Sequence, residues 1–187
     1  MIDVTLISRV ALLAGLAVTF GSGIARADPP SDPAAVKQQD GMWVDKDGNP
    51  TYKIDGKKVD YYTFAGYIRY SANCLQCHGP DALGSTYAPN LTDALKTIDF
   101  NEFYGIVSGG KQNVSSSQNL VMPALGANKN VMCYINAIYV YLRARSTDAM
   151  GRGRPEDAEK KPPEFTAAEN TCMGLSLIHI SEPTRPY

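Results

Sequence analysis

The run Cys74-Leu75-Gln76-Cys77-His78 constrains this chain more than any other stretch. A C-x-x-C-H spacing lets one turn of polypeptide bind a haem three times, with two thiols adding to the vinyl groups as thioethers and the adjacent imidazole reaching the iron. A zinc half-site would need a second ligand pair, yet the remaining cysteines, Cys133 and Cys172, lie far apart in sequence with no histidine beside them. A dithiol redox pair would not need the histidine and would sit near a βαβ pattern, which the chain does not show. Covalent attachment of one haem c through Cys74 and Cys77, with His78 as an iron ligand, is the reading that uses all three residues.

Export fits the same chemistry. Met1 to Ala27 carries Arg9, an apolar run from Val10 to Phe20, and Ala25-Arg26-Ala27 as a cleavage signature, the layout of a secretory leader. The apolar run is too short to span a bilayer, so a mature chain starting at Asp28 in the periplasm is expected, with no membrane span. At the other end, Leu175 to Tyr187 resembles the in-frame translation of a sequencing adapter and is set aside, the native chain being expected to continue beyond Gly174. His179 falls in that tail, which leaves His78 as the only native histidine. In an oxidising compartment Cys133 and Cys172, left over after haem attachment, are expected to form a disulfide.

Charge excludes some partners. With 18 Lys+Arg against 19 Asp+Glu, the chain has no basic excess with which to bind nucleic acid or an anionic membrane surface. The length suits one small, monomeric domain with extensions at both ends. Residues 28–60 read as a lead-in and a β-ribbon: Asp28 to Gln39 is proline-bearing and expected to be irregular. Met42-Trp43-Val44, Thr51 to Ile54 and Lys57 to Val59 read as strands, with Asp55-Gly56 as a hairpin signal. Asp45 to Asn49 reads as a turn, because its glycine falls at the wrong position for a calcium loop. Trp43 reads as a ribbon packing residue.

Residues 61–145 carry the helical core. Phe64, Tyr67, Ile68 and Tyr70 recur at helical spacing between Tyr61 and Asn73, and Gly66 shares a face with Tyr70, where a glycine suggests close approach of another backbone. Asp99 and Glu102 cap a second helix that stops at Gly109-Gly110, Lys111 to Leu120 reads as polar loop, and Val131 to Arg145 forms the strongest helix, with Ile135, Ile138, Tyr139 and Leu142 inward. Residues 146–174 are a charged extension without a core signal before Cys172. With one native histidine, the second axial position falls to methionine, another weak donor or nothing. Met122 is the best candidate, in a loop after the haem-binding segment and stiffened by Pro123.

The order Gly66, Tyr70, Cys74 to His78, Pro89-Asn90-Leu91, Met122-Pro123 and Tyr141-Leu142 is similar to class I cytochromes c. That resemblance implies a mainly α fold, the class I cytochrome c fold, whose first and last helices cross at the glycine while the tyrosine-leucine pair packs against them. It also implies that the Pro89 carbonyl accepts from the other ring nitrogen of His78. Thr51 to Gly56, Tyr87 to Asn90, Asn130 to Tyr134, Gly151 to Pro155 and Cys172 to Gly174 resemble the cytochrome c-L family, especially the branch paired with lanthanide-dependent methanol dehydrogenases. This narrower resemblance implies an electron carrier and not an enzyme, with two partners: a pyrroloquinoline quinone (PQQ) dependent methanol or alcohol dehydrogenase as donor and a downstream cytochrome c or oxidase as acceptor. Two rivals stand beside it: a haem enzyme or a gas or peroxide sensor with an open sixth site, and a generic shuttle to a terminal oxidase. The haem edge is expected near Leu75, Ala82, Leu83, Pro123, Ala124 and Leu125.

Overall fold

A computed structural model describes residues 32–114 and 119–175. The leader, Met1 to Ala27, and all of the tail beyond Leu175 lie outside the described residues. The chain opens with two short strands, β1 (Lys37–Gln39) and β2 (Met42–Val44), paired antiparallel, and continues with the hairpin β3 (Ile54–Asp55) and β4 (Lys58–Val59). Helices follow: α1 (Tyr61–Asn73), α2 (Leu75–His78), a 3-10 turn over Pro80–Ala82, α3 (Leu91–Ala94) and α4 (Phe100–Gly109). A second hairpin, β5 (Lys111–Val114) and β6 (Asn119–Met122), leads to α5 (Lys129–Met132) and α6 (Ile135–Ser146). The extension adds β7 (Asp157–Ala158), parallel to β4, and α7 (Pro163–Met173).

The crossing of α1 and α6 is the centre of the structure. Helix α1 starts where the Asp60 carboxylate accepts the Thr63 N–H at 3.0 Å, and it runs as far as the sequence pattern predicts. A Cβ built on Gly66 would lie 1.9 Å from the Ala137 carbonyl oxygen and 2.8 Å from the Tyr141 Cβ, so only glycine lets the two backbones meet. Ile135, Ile138, Tyr139 and Leu142 are buried, as their spacing implies, and so is nearly every other residue of α6. Of the predicted α1 stripe, Tyr70 is fully buried and Ile68 faces outward. In α4, Asp99 caps the helix through the Glu102 N–H at 2.8 Å.

Five expectations need correction. Lys37–Gln39, read as irregular, is a strand: Asp40 and Gly41 both take positive φ, 50° and 74°, and so make the turn that returns the chain antiparallel. Thr51 to Ile54, read as a strand, becomes one only at Ile54; before it the Thr51 N–H bonds the Trp43 carbonyl and the Lys53 carbonyl accepts the Asp60 N–H, each at 2.9 Å, without forming a regular ladder. Of Lys111 to Leu120, read as polar loop, the described residues Lys111–Val114 and Asn119–Leu120 pair as strands, because backbone pairing here needs no apolar alternation. The extension, read as lacking core, contributes the buried Phe165, whose ring meets Tyr61 and Tyr62 edge-on at 4.9 Å. The long helix from Val131 is also two pieces, broken at Cys133 and Tyr134.

The extension is fastened at several points. Cys133 and Cys172 are joined by a disulfide, with Cα atoms 5.6 Å apart. The Tyr134 hydroxyl donates to Glu169 at 2.5 Å, Arg69 stacks on the Tyr134 ring at 3.5 Å, and Lys161 pairs with Glu169. On the opposite side of the core, buried Asp45 accepts the Asp47 and Asn49 N–H groups, each at 2.9 Å. Its other oxygen meets Arg143 of α6 at 2.9 Å, so the Asp45 turn is anchored to the central helix.

Candidate functional site

The cysteine motif is a single helical turn restarted at the end of α1. The Cys74 N–H still bonds the Tyr70 carbonyl at 2.8 Å, and the His78 N–H bonds the Cys74 carbonyl at 2.9 Å. Positions i, i+3 and i+4 of a helical turn share one face, which places Cys74, Cys77 and His78 together. Both thiols are free, whereas the other two cysteines of the chain are bonded to each other. Cys74 is half-buried against the core and Cys77 is exposed.

His78 is 8 % exposed, and its Nδ1 lies 3.1 Å from the Pro89 carbonyl oxygen. Nδ1 therefore donates, and Nε2 keeps its lone pair for a metal. Burial lowers the imidazole's affinity for a proton, while the Pro89 carbonyl works partly against that, and the neutral ring that results is the form that coordinates iron. Two free thiols and an imidazole with one nitrogen already engaged are a donor set that fits a covalently attached haem.

The loop after His78 is folded tightly back onto the motif. Tyr70 reaches down from α1 and donates to the Gly79 carbonyl at 2.6 Å, and the Gly84 N–H returns to the His78 carbonyl at 2.8 Å. A Cβ on Gly79 would lie 2.2 Å from the Gly84 carbonyl oxygen, and with φ at 73° the position accepts only glycine without strain. The Ser85 hydroxyl donates to the Cys77 carbonyl at 2.5 Å and accepts the Tyr87 N–H at 3.0 Å. Asp81 ties the loop to the extension, accepting the Gly153 N–H at 2.7 Å and Arg152 Nε at 3.3 Å. These roles for Tyr70, Asp81 and Ser85 were not read from the sequence, although the serine two residues before Tyr87 carried a local-turn signal.

Met122 ends β6 opposite Lys111, half-buried against the main core together with Leu125. Met132 is half-buried against the same core, Met150 is buried within it, and Met42 and Met173 pack against the second cluster, around Tyr134 and Phe165. Of the residues expected at the haem edge, Leu75 and Leu83 are 38 % and 40 % exposed, Pro123 and Ala124 are exposed, and Leu125 is half-buried. Ala82 is a correction: the 3-10 turn puts its side chain wholly inside the core. Trp43 is half-buried on β2, with the Lys53 ammonium 5.7 Å from its ring.

Comparison with known proteins agrees with this geometry. The chain is 52% identical over 136 residues to cytochrome c-553I of Paracoccus denitrificans, the match covering 72% of this chain and 60% of that protein. It is 32% identical over 99 residues to cytochrome c-555 of Methylococcus capsulatus, covering 52% of this chain and 74% of that one. Among solved structures it resembles the c-type cytochrome XoxG of Methylobacterium extorquens AM1, with 54% identity and a TM-score of 0.70 over 75% of this chain and 86% of that one. No protein-family model matches the chain. The chain belongs to the class I c-type cytochromes. The match spans about three fifths of the Paracoccus protein's own length, and a member of this family carries covalently bound haem c.

Proposed function

We propose that this protein is a periplasmic monohaem carrier that accepts single electrons from a PQQ-dependent methanol or alcohol dehydrogenase and passes them to another cytochrome c or an oxidase. The observation that carries the reading is the 54% identity to XoxG over 86% of that chain, joined to the cytochrome c-L-like segments spread along the whole sequence. The segment Gly151 to Pro155 is one of these, and it contacts the loop directly after the haem motif through Asp81. Within the site, Cys74 and Cys77 hold the haem and His78 binds its iron through Nε2, with Pro89 setting the ring's orientation. Met122 would supply the iron's second protein ligand: it stands at the end of β6, half-buried and directly before the exposed Pro123 and Ala124, while Met150 is buried in the core and Met42 and Met173 pack against the cluster around Phe165. Haem iron held by histidine and methionine has a raised reduction potential and takes up one electron at a time.

The buried setting of His78 and its bond to the Pro89 carbonyl leave Nε2 as the nitrogen available to the iron. Antibody depletion of the cytochrome from a periplasmic extract should stop methanol-driven reduction of the downstream acceptors, and adding back the purified holoprotein should restore it. An extract that runs undiminished after depletion would refute the assignment.

A further inference from the structure

The most exposed large apolar side chain near the haem motif is Tyr87, at 75 %. It is presented at the tip of a closed turn in which the Ser85 N–H bonds the Ala88 carbonyl at 2.9 Å. The Ser85 hydroxyl secures that turn at both ends, reaching the Tyr87 N–H and the carbonyl of Cys77. One side-chain hydrogen bond thus separates the tyrosine's turn from a residue that anchors the haem. The base of the loop is just as constrained, with Gly79 against Gly84 and His78 against Pro89.

What sets Tyr87 apart is not exposure alone but its place on a turn bonded directly to the backbone of Cys77. A solvent-facing tyrosine carried on a backbone turn that is already fixed is the kind of residue that dominates binding when a partner covers it. Electron tunnelling weakens steeply with distance, so a protein delivering electrons must seat close to the Cys77 side of the haem, within reach of this turn. From Ala82 to Thr92 the sequence has no charged residue, and the exposed Leu75 and Leu83 add apolar area, so a partner pressing here desolvates little charge.

We propose that Tyr87 is the aromatic contact by which the electron-donating dehydrogenase recognises this cytochrome, a role that rests on the donor assigned above. The ring supplies the contact and Ser85 holds it in position. The test is stopped-flow reduction of Tyr87→Ala, Tyr87→Phe and Ser85→Ala holoproteins by the substrate-reduced dehydrogenase, beside oxidation of each by hexacyanoferrate, a small reagent that needs no protein contact. Tyr87→Ala should lose about tenfold or more in bimolecular rate with the dehydrogenase, the loss typical of an interface anchor. Tyr87→Phe should stay within about twofold and Ser85→Ala should fall between, with hexacyanoferrate rates unchanged throughout. Wild-type rates for Tyr87→Ala, or an equal loss toward hexacyanoferrate, would overturn the inference alone. A wild-type protein that takes no electrons from the dehydrogenase would overturn both it and the proposed donor.

Discussion

Replacing Gly66 by alanine tests the helix crossing on which the haem motif is built. The added carbon would lie 1.9 Å from the Ala137 carbonyl oxygen, well over 1 Å inside ordinary van der Waals contact, and the obstacle is backbone that cannot rotate aside. Separating α1 from α6 by that much forfeits roughly a quarter to a half of the dispersion energy at their contact. Overpacking of this kind costs about 3 kcal/mol or more when the neighbour cannot yield, against a gain of about 1 kcal/mol in helix propensity. The expected net loss is about 2 kcal/mol, or roughly 4 to 8 °C in Tm for a chain of this size. Gly105 is the control: it lies within α4 with nothing within 4 Å of its built Cβ, so Gly105→Ala should stabilise by about 0.5 to 1 kcal/mol. Thermal melting of the holoproteins by circular dichroism would read both. A Gly66→Ala protein as stable as the parent would refute the close crossing.

Other perturbations probe the site and its supports. Met122→Ala should abolish the weak red sulfur-to-iron band of the oxidised protein and let the reduced protein bind carbon monoxide, whereas Met132→Ala should do neither. Tyr70→Phe strips the buried Gly79 carbonyl of its donor and should cost about 1 to 3 kcal/mol in denaturant unfolding. Replacing both Cys133 and Cys172 by alanine opens a link across a sequence separation of 39 and should cost about 4 kcal/mol in the chain-entropy model, measured the same way. Burial alone would raise the Glu169 carboxyl, but Lys161, Tyr134 and Arg69 outweigh it and hold the group below the usual carboxylate range. Its stabilising effect is therefore present above the unfolded value of about 4.3 and lost as pH falls through the lower folded value. Glu169→Gln should flatten that acid limb of a stability-against-pH curve.

The helices were legible because their signals are local and agree with one another. Asp60 and Asp99 stand where caps are needed, Tyr70 and the α6 residues recur at the helical period, and Gly66 marks where the α1 and α6 backbones meet. The Pro89 contact to His78 followed from family resemblance and not from spacing, since the two lie eleven positions apart in sequence. Long-range features stayed hidden for the same reason. The parallel pairing of β4 with β7, the Asp45 to Arg143 ion pair and the Asp81 clamp on Gly153 each join segments whose partners no local pattern names. The β1–β2 turn was readable, for Asp40-Gly41 is the same dipeptide signal that located the β3–β4 hairpin. Phe165 was passed over because one aromatic residue in a charged segment makes no periodic stripe, yet three tyrosines from α1 and the α5–α6 junction enclose it.

The most direct measurement mixes the oxidised holoprotein with substrate-reduced PQQ dehydrogenase under anaerobic, dye-free conditions and follows the haem spectrum. One electron should enter each cytochrome chain, at a rate that rises with dehydrogenase concentration and vanishes without alcohol. A cytochrome that stays oxidised, beside a dehydrogenase that reduces an artificial dye normally, would contradict the account.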